Sequence, residues 1–209
     1  MSDKTPLAPK LWTPRTVEET KDIYAKWADT YEDDVLGLSY ATPARVAQAI
    51  GPYVTPQDPI LDFGCGTGLS GLALAEAGYE VIDGTDISEQ MLAHAYDKQA
   101  AGRDVYRNLW LGTPGAVQVT PGDYACIVAT GVISLGAAPP EMLTVLLDAL
   151  GPDGILAFSY NDPTLEEVSY TQALDAVIAD GTARQLFRQH GPHLSEKVTG
   201  SDVIVLSRA

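Results

Sequence analysis

The chain has 209 residues, 45% of them apolar and 20% charged, a composition that suits a soluble globular protein with room for a sizeable core. Its formal net charge of −15, with no Lys/Arg cluster anywhere, argues against DNA, RNA or an anionic membrane as partner and leaves a small molecule or a protein as the expected one. The opening "MSDKTPLAPKLWTPRT" is too polar and proline-rich for a secretory core, and the longest uncharged run, residues 124–140, is too short and too broken by Gly and Pro to span a bilayer. The two cysteines, Cys65 and Cys126, give no disulfide framework, so a reduced, cytoplasmic setting is expected. Nothing in the pattern fixes an oligomeric state.

After a proline-rich tail (Pro6, Pro9, Pro14), Thr16 and Glu19 have the spacing of a capping box and should open a helix. Ile23, Tyr24, Trp27 and Tyr31 give that helix one aromatic face. A second, shorter helix should begin at Thr42-Pro43 and end at Gly51. From there strands and helices alternate. Residues 60–63 read as a buried strand, followed by a glycine loop and a helix with Leu69, Leu72, Ala73 and Leu74, closed by Gly78. Residues 79–85 form the next strand. Ser88 then caps a helix with Met91, Leu92 and Ala95 on its inner side. Strands are expected over 104–111 and 124–129, a helix over 140–150, and after the "GPDG" turn a strand over 155–160. Asp162-Pro163 should cap a helix running to about Gly181, and strands over 184–190 and 202–207 should pair as a hairpin. The pattern is an α/β fold: a doubly wound, seven-stranded, mostly parallel sheet with a C-terminal antiparallel hairpin, Rossmann-like. One domain is expected over 1–209, with 1–51 as tail and helical lid and 58–208 as the α/β core.

The segment "ILDFGCGTGLSG" places Gly64, Gly66 and Gly68 at alternate positions between a strand and a helix. In an open parallel sheet that turn lies at the carboxyl edge, where ligands bind. Its free backbone N–H groups can face a ligand oxygen at the helix start. Asp86 ends the neighbouring strand 22 residues after Gly64, where a carboxylate can accept from both hydroxyls of a ribose. An adenosine-like ligand follows, with the ribose on Asp86; the bland alternative is a turn that is glycine-rich only because it is tight. A nicotinamide site would want G-x-G-x-x-G, but Leu69 stands in the last place and no hydride-transfer set appears. No Gly-Lys-Ser/Thr follows, so it is not a P-loop.

These residues carry a resemblance. "LDFGCGTG" resembles motif I of the class I S-adenosylmethionine-dependent methyltransferases, "GTDISEQMLAHA" their second-strand motif, and "GDYACIVATGVISLG" and "LGPDGILAFSYN" their fourth- and fifth-strand motifs. "YAKWADTYEDDV" resembles the leader helix of small-molecule members, and the ending "HGPHLSEKVTGSDVIVL" is similar to the Williams–Beuren-region methyltransferase-like group. The likeness covers about residues 20–208. It implies S-adenosyl-L-methionine as cofactor, with Gly64, Cys65, Gly66, Thr67 and Gly68 around the methionine and ribose, Asp62 on the methionine amino group and Asp86 on the ribose. Ile87 and Met91 would press on the adenine. The acid that commonly takes the adenine amino group is replaced by Gly112, leaving backbone groups or Trp110 for that task.

Methyl transfer from a sulfonium needs alignment and exclusion of water more than covalent help, so no catalytic residue is assigned. Tyr24, Trp27 and Tyr31 are either core or a lid whose hydroxyls reach the cofactor. Ile133 and Ser134, just beyond the fourth strand, and Tyr160 and Asn161, just beyond the fifth, lie at the edge where an acceptor would sit, as does Asp162, which is equally a helix cap. His94, His190 and His193 are scattered, the last two reading as a surface hairpin turn, and no metal is implied. Cys65 has no base for nucleophilic work. A non-catalytic binder of S-adenosylmethionine or S-adenosylhomocysteine stays open as the competing class.

Overall fold

The computed structural model of the chain describes residues 9–209, so Pro6 of the expected tail lies outside the described residues. A 3-10 turn (Pro9–Trp12) leads to helix α1 (Val17–Leu36). The Glu19 N–H donates to the Thr16 hydroxyl at 3.2 Å, and the Thr16 N–H donates to the Glu19 carboxylate at 2.8 Å. This reciprocal pair satisfies donors that a helix start leaves unpaired. Helix α2 (Thr42–Ala49) carries Pro43 in its first turn.

The main sheet contains β1 (Ile60–Phe63), β2 (Ile82–Asp86), β3 (Asn108–Leu111), β4 (Cys126–Ala129), β5 (Ile155–Asn161), β6 (Ala183–Pro192) and β7 (Gly200–Arg208). Their order is β3-β2-β1-β4-β5-β7-β6. The first five run parallel, while β7 lies antiparallel to β5 and to β6. Helices α3 (Leu69–Glu76) and α4 (Glu89–Tyr96) precede β3, α5 (Met142–Asp148) follows β4, and α6 (Asp162–Glu166) and α7 (Val168–Ala179) connect β5 to β6.

Strand parity divides the core. Ile60, Cys126, Val128 and Val205 face Val46, Ile50, Leu74 and Leu92, from α2, α3 and α4. Leu61, Ile127, Phe158 and Leu206 face Leu143, Leu146, Leu147 and Leu174, from α5 and α7. Because the chain leaves β1 towards β2 on one side and returns as β4 on the other, a crevice opens beyond the carboxyl ends of β1 and β4.

Three boundaries differ from the sequence reading. The second strand begins at Ile82, because the Tyr79 N–H closes the end of α3 on the Leu74 carbonyl and the Glu80 N–H goes to Pro56. The expected strand over 104–111 keeps only β3; before it, Gln99–Ala100 pairs with Arg103–Asp104 across Ala101 and Gly102, both at positive φ. Such a turn suits the twist of a two-stranded hairpin. The long helix after Asp162 is broken at Glu167, whose backbone is extended (ψ 108°).

Candidate active site

The crevice holds a cavity of about 230 Å³, walled by the glycine loop, the turns after β2, β3 and β4, the aromatic face of α1, and the segment around His193. Gly64, Gly66 and Gly68 all take positive φ (69°, 55° and 94°), the region glycine enters without a Cβ penalty. The N–H groups of Gly64 and Cys65 both donate to the Thr85 carbonyl, at 2.8 and 3.0 Å, which clips the loop to the end of β2. A Cβ built on Gly66 meets no protein atom within 4 Å, so the space beside it is open.

Asp86 closes the other side. Its Oδ2 accepts from the Gly66 N–H at 2.9 Å and its Oδ1 from the Ser88 N–H at 2.8 Å. The carboxylate thus joins the glycine loop to the start of α4, where the Ser88 hydroxyl caps Met91. Burial raises its pKa, opposed by the N–H groups of Ser88, Gly66 and Ile87. An ionised carboxylate has about four lone-pair sites, so capacity remains for a ligand hydroxyl.

Of the residues singled out from sequence, Gly64, Cys65, Gly66, Thr67, Asp86, Ile87, Met91, Tyr24, Trp27, Tyr31, Ser134 and Asn161 border this cavity. Gly68 stands just behind, as the left-handed N-cap of α3. Trp27 is 2% exposed and its indole N–H donates to Asp34; Tyr24 and Tyr31 flank it on one face of α1. Asn161 borders the cavity and also caps α6, its Oδ1 accepting from the Thr164 N–H; the neighbouring Asp162 accepts instead from Gly200. Burial pushes the Cys65 thiol well above its ordinary range, which leaves it neutral.

Four expected positions fall away from the cavity. Asp62 shares the face of Ile60 and points into the helix layer under the loop. There it is fully buried and its Oδ2 accepts from the Tyr106 hydroxyl at 2.7 Å. Tyr160 has the parity of Phe158 and is buried edge-on between Phe158 and Tyr170. Ile133 is fully buried against α5, in the bridge it forms with Ala138. Trp110 turns to a shallow depression with Asp83 and Tyr124 at the far side of β3.

Sequence reasoning missed three residues. Tyr106 threads between α3 and β2, where a Cβ on Gly71 or Gly84 would strike its ring. Tyr40 and His193 border the cavity, their rings edge-on at 5.2 Å. His193, expected at a surface turn, is 7% exposed and bonds Thr42, 151 residues away. Only contacts between distant segments could reveal that.

Asp62 makes the stability of the fold pH-sensitive. Its Oδ1 has no hydrogen-bond partner among the described residues, although the Ser70 hydroxyl and the Gly71 N–H lie near enough to favour the charged form. Burial dominates and lifts its pKa from 3.8 to about 7. The folded state therefore holds this proton more tightly than the unfolded chain. The resulting stabilisation is complete below the unfolded value and is lost as pH rises through the folded one. The gap corresponds to on the order of 4 kcal/mol. Asp62→Asn should thus gain urea resistance over the wild type as pH rises from about 4 to about 7. Parallel stability curves for the two proteins would remove Asp62 as the titrating group.

A parallel sheet ending in an antiparallel pair, with a glycine loop at the switch point and an acid closing the next strand, defines a Rossmann-like methyltransferase fold. Residues 61–156 match the family described as "Methyltransferase domain". The chain is 30% identical over 162 residues to Methyltransferase-like protein 27 of Homo sapiens, covering 75% of this chain and 63% of that one. It is 39% identical over 89 residues to 18S rRNA (guanine-N(7))-methyltransferase of Bos taurus, covering 41% and 30%. It thus spans less than two thirds of the length of these relatives. Magnesium protoporphyrin IX methyltransferase of Synechocystis PCC 6803, solved with bound S-adenosylmethionine, shares the fold: TM-score 0.59, 17% identity, 97% of this chain and 90% of that one.

Residues 61–156 therefore match a methyltransferase domain carried on a Rossmann-like methyltransferase fold, and the molecule to test against the site is S-adenosylmethionine, which the Synechocystis structure holds. The residues present fit that molecule. The cradle beside Gly66 is open, and the Thr67 hydroxyl is buried with no partner among the described residues. Among those residues no three His, Cys, Asp or Glu converge to hold a metal, and no helix is long and apolar enough to cross a membrane.

Proposed function

We propose that this chain is an enzyme that methylates a small-molecule acceptor, as one domain whose α1 segment serves as a lid. The observation that carries the reading is the cavity itself. It is roofed by Tyr24, Trp27, Tyr31 and Leu11 of the N-terminal segment and lined largely by apolar side chains, which suits a molecule enclosed away from water. The net charge of −15 is unsuited to a phosphate backbone, even though a shorter match is to an RNA methyltransferase. Two buried free thiols, Cys65 and Cys126, favour a cytoplasmic setting.

The bound cofactor supplies an electrophilic methyl on sulfur. The chain's residues bind and orient. The Gly64–Gly68 loop brings its backbone against the methionine and ribose portion, Asp86 accepts from the ribose hydroxyls, and Ile87 and Met91 pack on the adenine. Gly112 borders the cavity with backbone only, its N–H already given to the Asp86 carbonyl. Asp62 supports the loop from below rather than touching ligand. Ser134 and Asn161 border the acceptor side. Burial raises the pKa of Tyr24 and Tyr31, keeping both hydroxyls protonated beside the reaction space.

The first test is ligand-induced stabilisation, which follows mass action for a ligand bound only to the native state. At a hundred times its Kd, S-adenosylhomocysteine should add about 2.7 kcal/mol, seen as a rise in melting temperature, and NAD or ATP far less. An equal shift with NAD would overturn the cofactor assignment. Turnover of the methyl donor against a panel of small acceptors then decides between an enzyme and a non-catalytic binder, while methylation of RNA alone would refute the small-molecule reading.

A further inference from the structure

Behind the cavity wall lies a buried chain of hydrogen bonds whose direction can be worked out. Arg45 Nη1 faces the Ser201 hydroxyl at 3.0 Å, Ser201 faces the Thr42 hydroxyl at 3.1 Å, and Thr42 faces His193 Nδ1 at 2.8 Å. Ser201 and Thr42 are fully buried. A guanidinium donates and never accepts. The Ser201 proton has no acceptor among these partners except Thr42, and a buried hydroxyl left undonated is costly. Ser201 therefore donates to Thr42, and Thr42 in turn donates to His193 Nδ1. An imidazole nitrogen that accepts carries no hydrogen, so the ring proton sits on Nε2.

His193 is buried in the cavity wall, and its Nε2 has no hydrogen-bond partner among the described residues. Tyr40, edge-on to the imidazole, continues that wall towards Gly131 beyond β4, with its hydroxyl 3.2 Å from where a Gly131 Cβ would stand. Protonation would force Nδ1 to donate and turn round the Thr42 and Ser201 links, leaving the Ser201 proton without an acceptor among these partners, since Arg45 only donates. Burial, aided by the Arg45 charge and opposed by Asp162, lowers the His193 pKa to about 4, so the ring stays neutral in the same sense.

We propose that His193 binds the methyl acceptor, its Nε2–H donating to a carbonyl or hydroxyl oxygen of an uncharged, largely apolar molecule, with Thr42 as the positioning residue that fixes this tautomer. The inference rests on the methyltransferase reading and adds the chemical class of the acceptor. A neutral N–H donor among apolar walls discriminates against an acceptor molecule that lacks the oxygen, because the donor would then stay buried and unpaired.

The test uses the full chain saturated with S-adenosylhomocysteine and carrying ¹⁵N-histidine, read by long-range proton–nitrogen spectra near neutral pH. The His193 signals, identified by their loss in His193→Phe, should show a bare Nδ1 and a protonated Nε2. Thr42→Val, which leaves the cavity lining alone, should mix the two tautomers. Acetophenone and α-methylstyrene then serve as a pair with the same shape, differing only by a carbonyl oxygen in place of a methylene. The ketone should bind the wild type about two- to tenfold tighter, the worth of one neutral hydrogen bond, and His193→Phe should lose that preference. A protonated Nδ1 in the wild type overturns the proposal, as do equal affinities for the pair (binding of neither included) or a preference that survives His193→Phe. A wild type that fails to bind S-adenosylhomocysteine overturns the methyltransferase reading and this proposal together, whereas the other outcomes overturn this proposal alone.

Discussion

Gly66→Val is expected to abolish binding of S-adenosylhomocysteine while the chain stays folded. Two effects act at this position and can be separated. Gly66 has φ +55°, a conformation a β-branched residue adopts only with strain of about 1–3 kcal/mol. A side chain there also projects into space where no protein atom lies within 4 Å, in the loop that borders the cavity. Gly181, at the end of α7, has the same backbone signature (φ +82°) and the same open surroundings, but does not border the cavity. Gly181→Val should therefore cost comparable stability and leave binding intact. Calorimetric titration of the two variants, with urea unfolding alongside, separates strain from blockage. Normal affinity in a folded Gly66→Val protein would move the cradle elsewhere. Loss of affinity in both variants would mean that global destabilisation, not occupancy, was being read.

What could be read from the residues, and what could not, divides along the range of the interactions. Local chemistry was visible: the Thr16–Glu19 box, the Ser88 cap, the alternate glycines and Asp86 all act within a few residues of themselves or at the ends of adjacent strands. The seven strands and the antiparallel ending were visible too, because hydrophobic runs and turn signals recur along the chain. The misplaced residues failed on parity. Asp62 and Tyr160 were assigned by nearness to a strand's end, yet side chains alternate across a sheet. Counting back in twos to Ile60 and to Phe158 places both in buried layers. Trp110 fails differently: its strand is an edge, and its carbonyl accepts from Thr85 while its ring turns to the depression beside Asp83 and Tyr124. Tyr106 and His193 depend on partners 44 and 151 residues away, and no periodicity encodes such pairings.

Replacing Asp86 by alanine should weaken S-adenosylhomocysteine through two routes, and the geometry shows how to isolate the one that matters. The carboxylate binds the Gly66 and Ser88 N–H groups, so its loss loosens the loop and the start of α4 whatever the ligand. Its remaining lone pairs are the ones assigned to the ribose, and hydrogen bonds to a charged acceptor are worth roughly 1.5–3 kcal/mol. A 2′,3′-dideoxy analogue of S-adenosylhomocysteine cannot make those bonds but still needs the loop. In a cycle of two proteins and two ligands the loop effect cancels, and the coupling that remains is the ribose contact. The wild type should prefer the natural ligand by about tenfold to somewhat over a hundredfold, and Asp86→Ala should nearly lose that preference. The rival role, a negative charge near the start of α4, predicts that both ligands weaken by one common factor, with the wild-type preference kept in the mutant. Titration of the four combinations separates the two. Additive losses would leave Asp86 as a staple for the loop and α4, with the ribose held elsewhere.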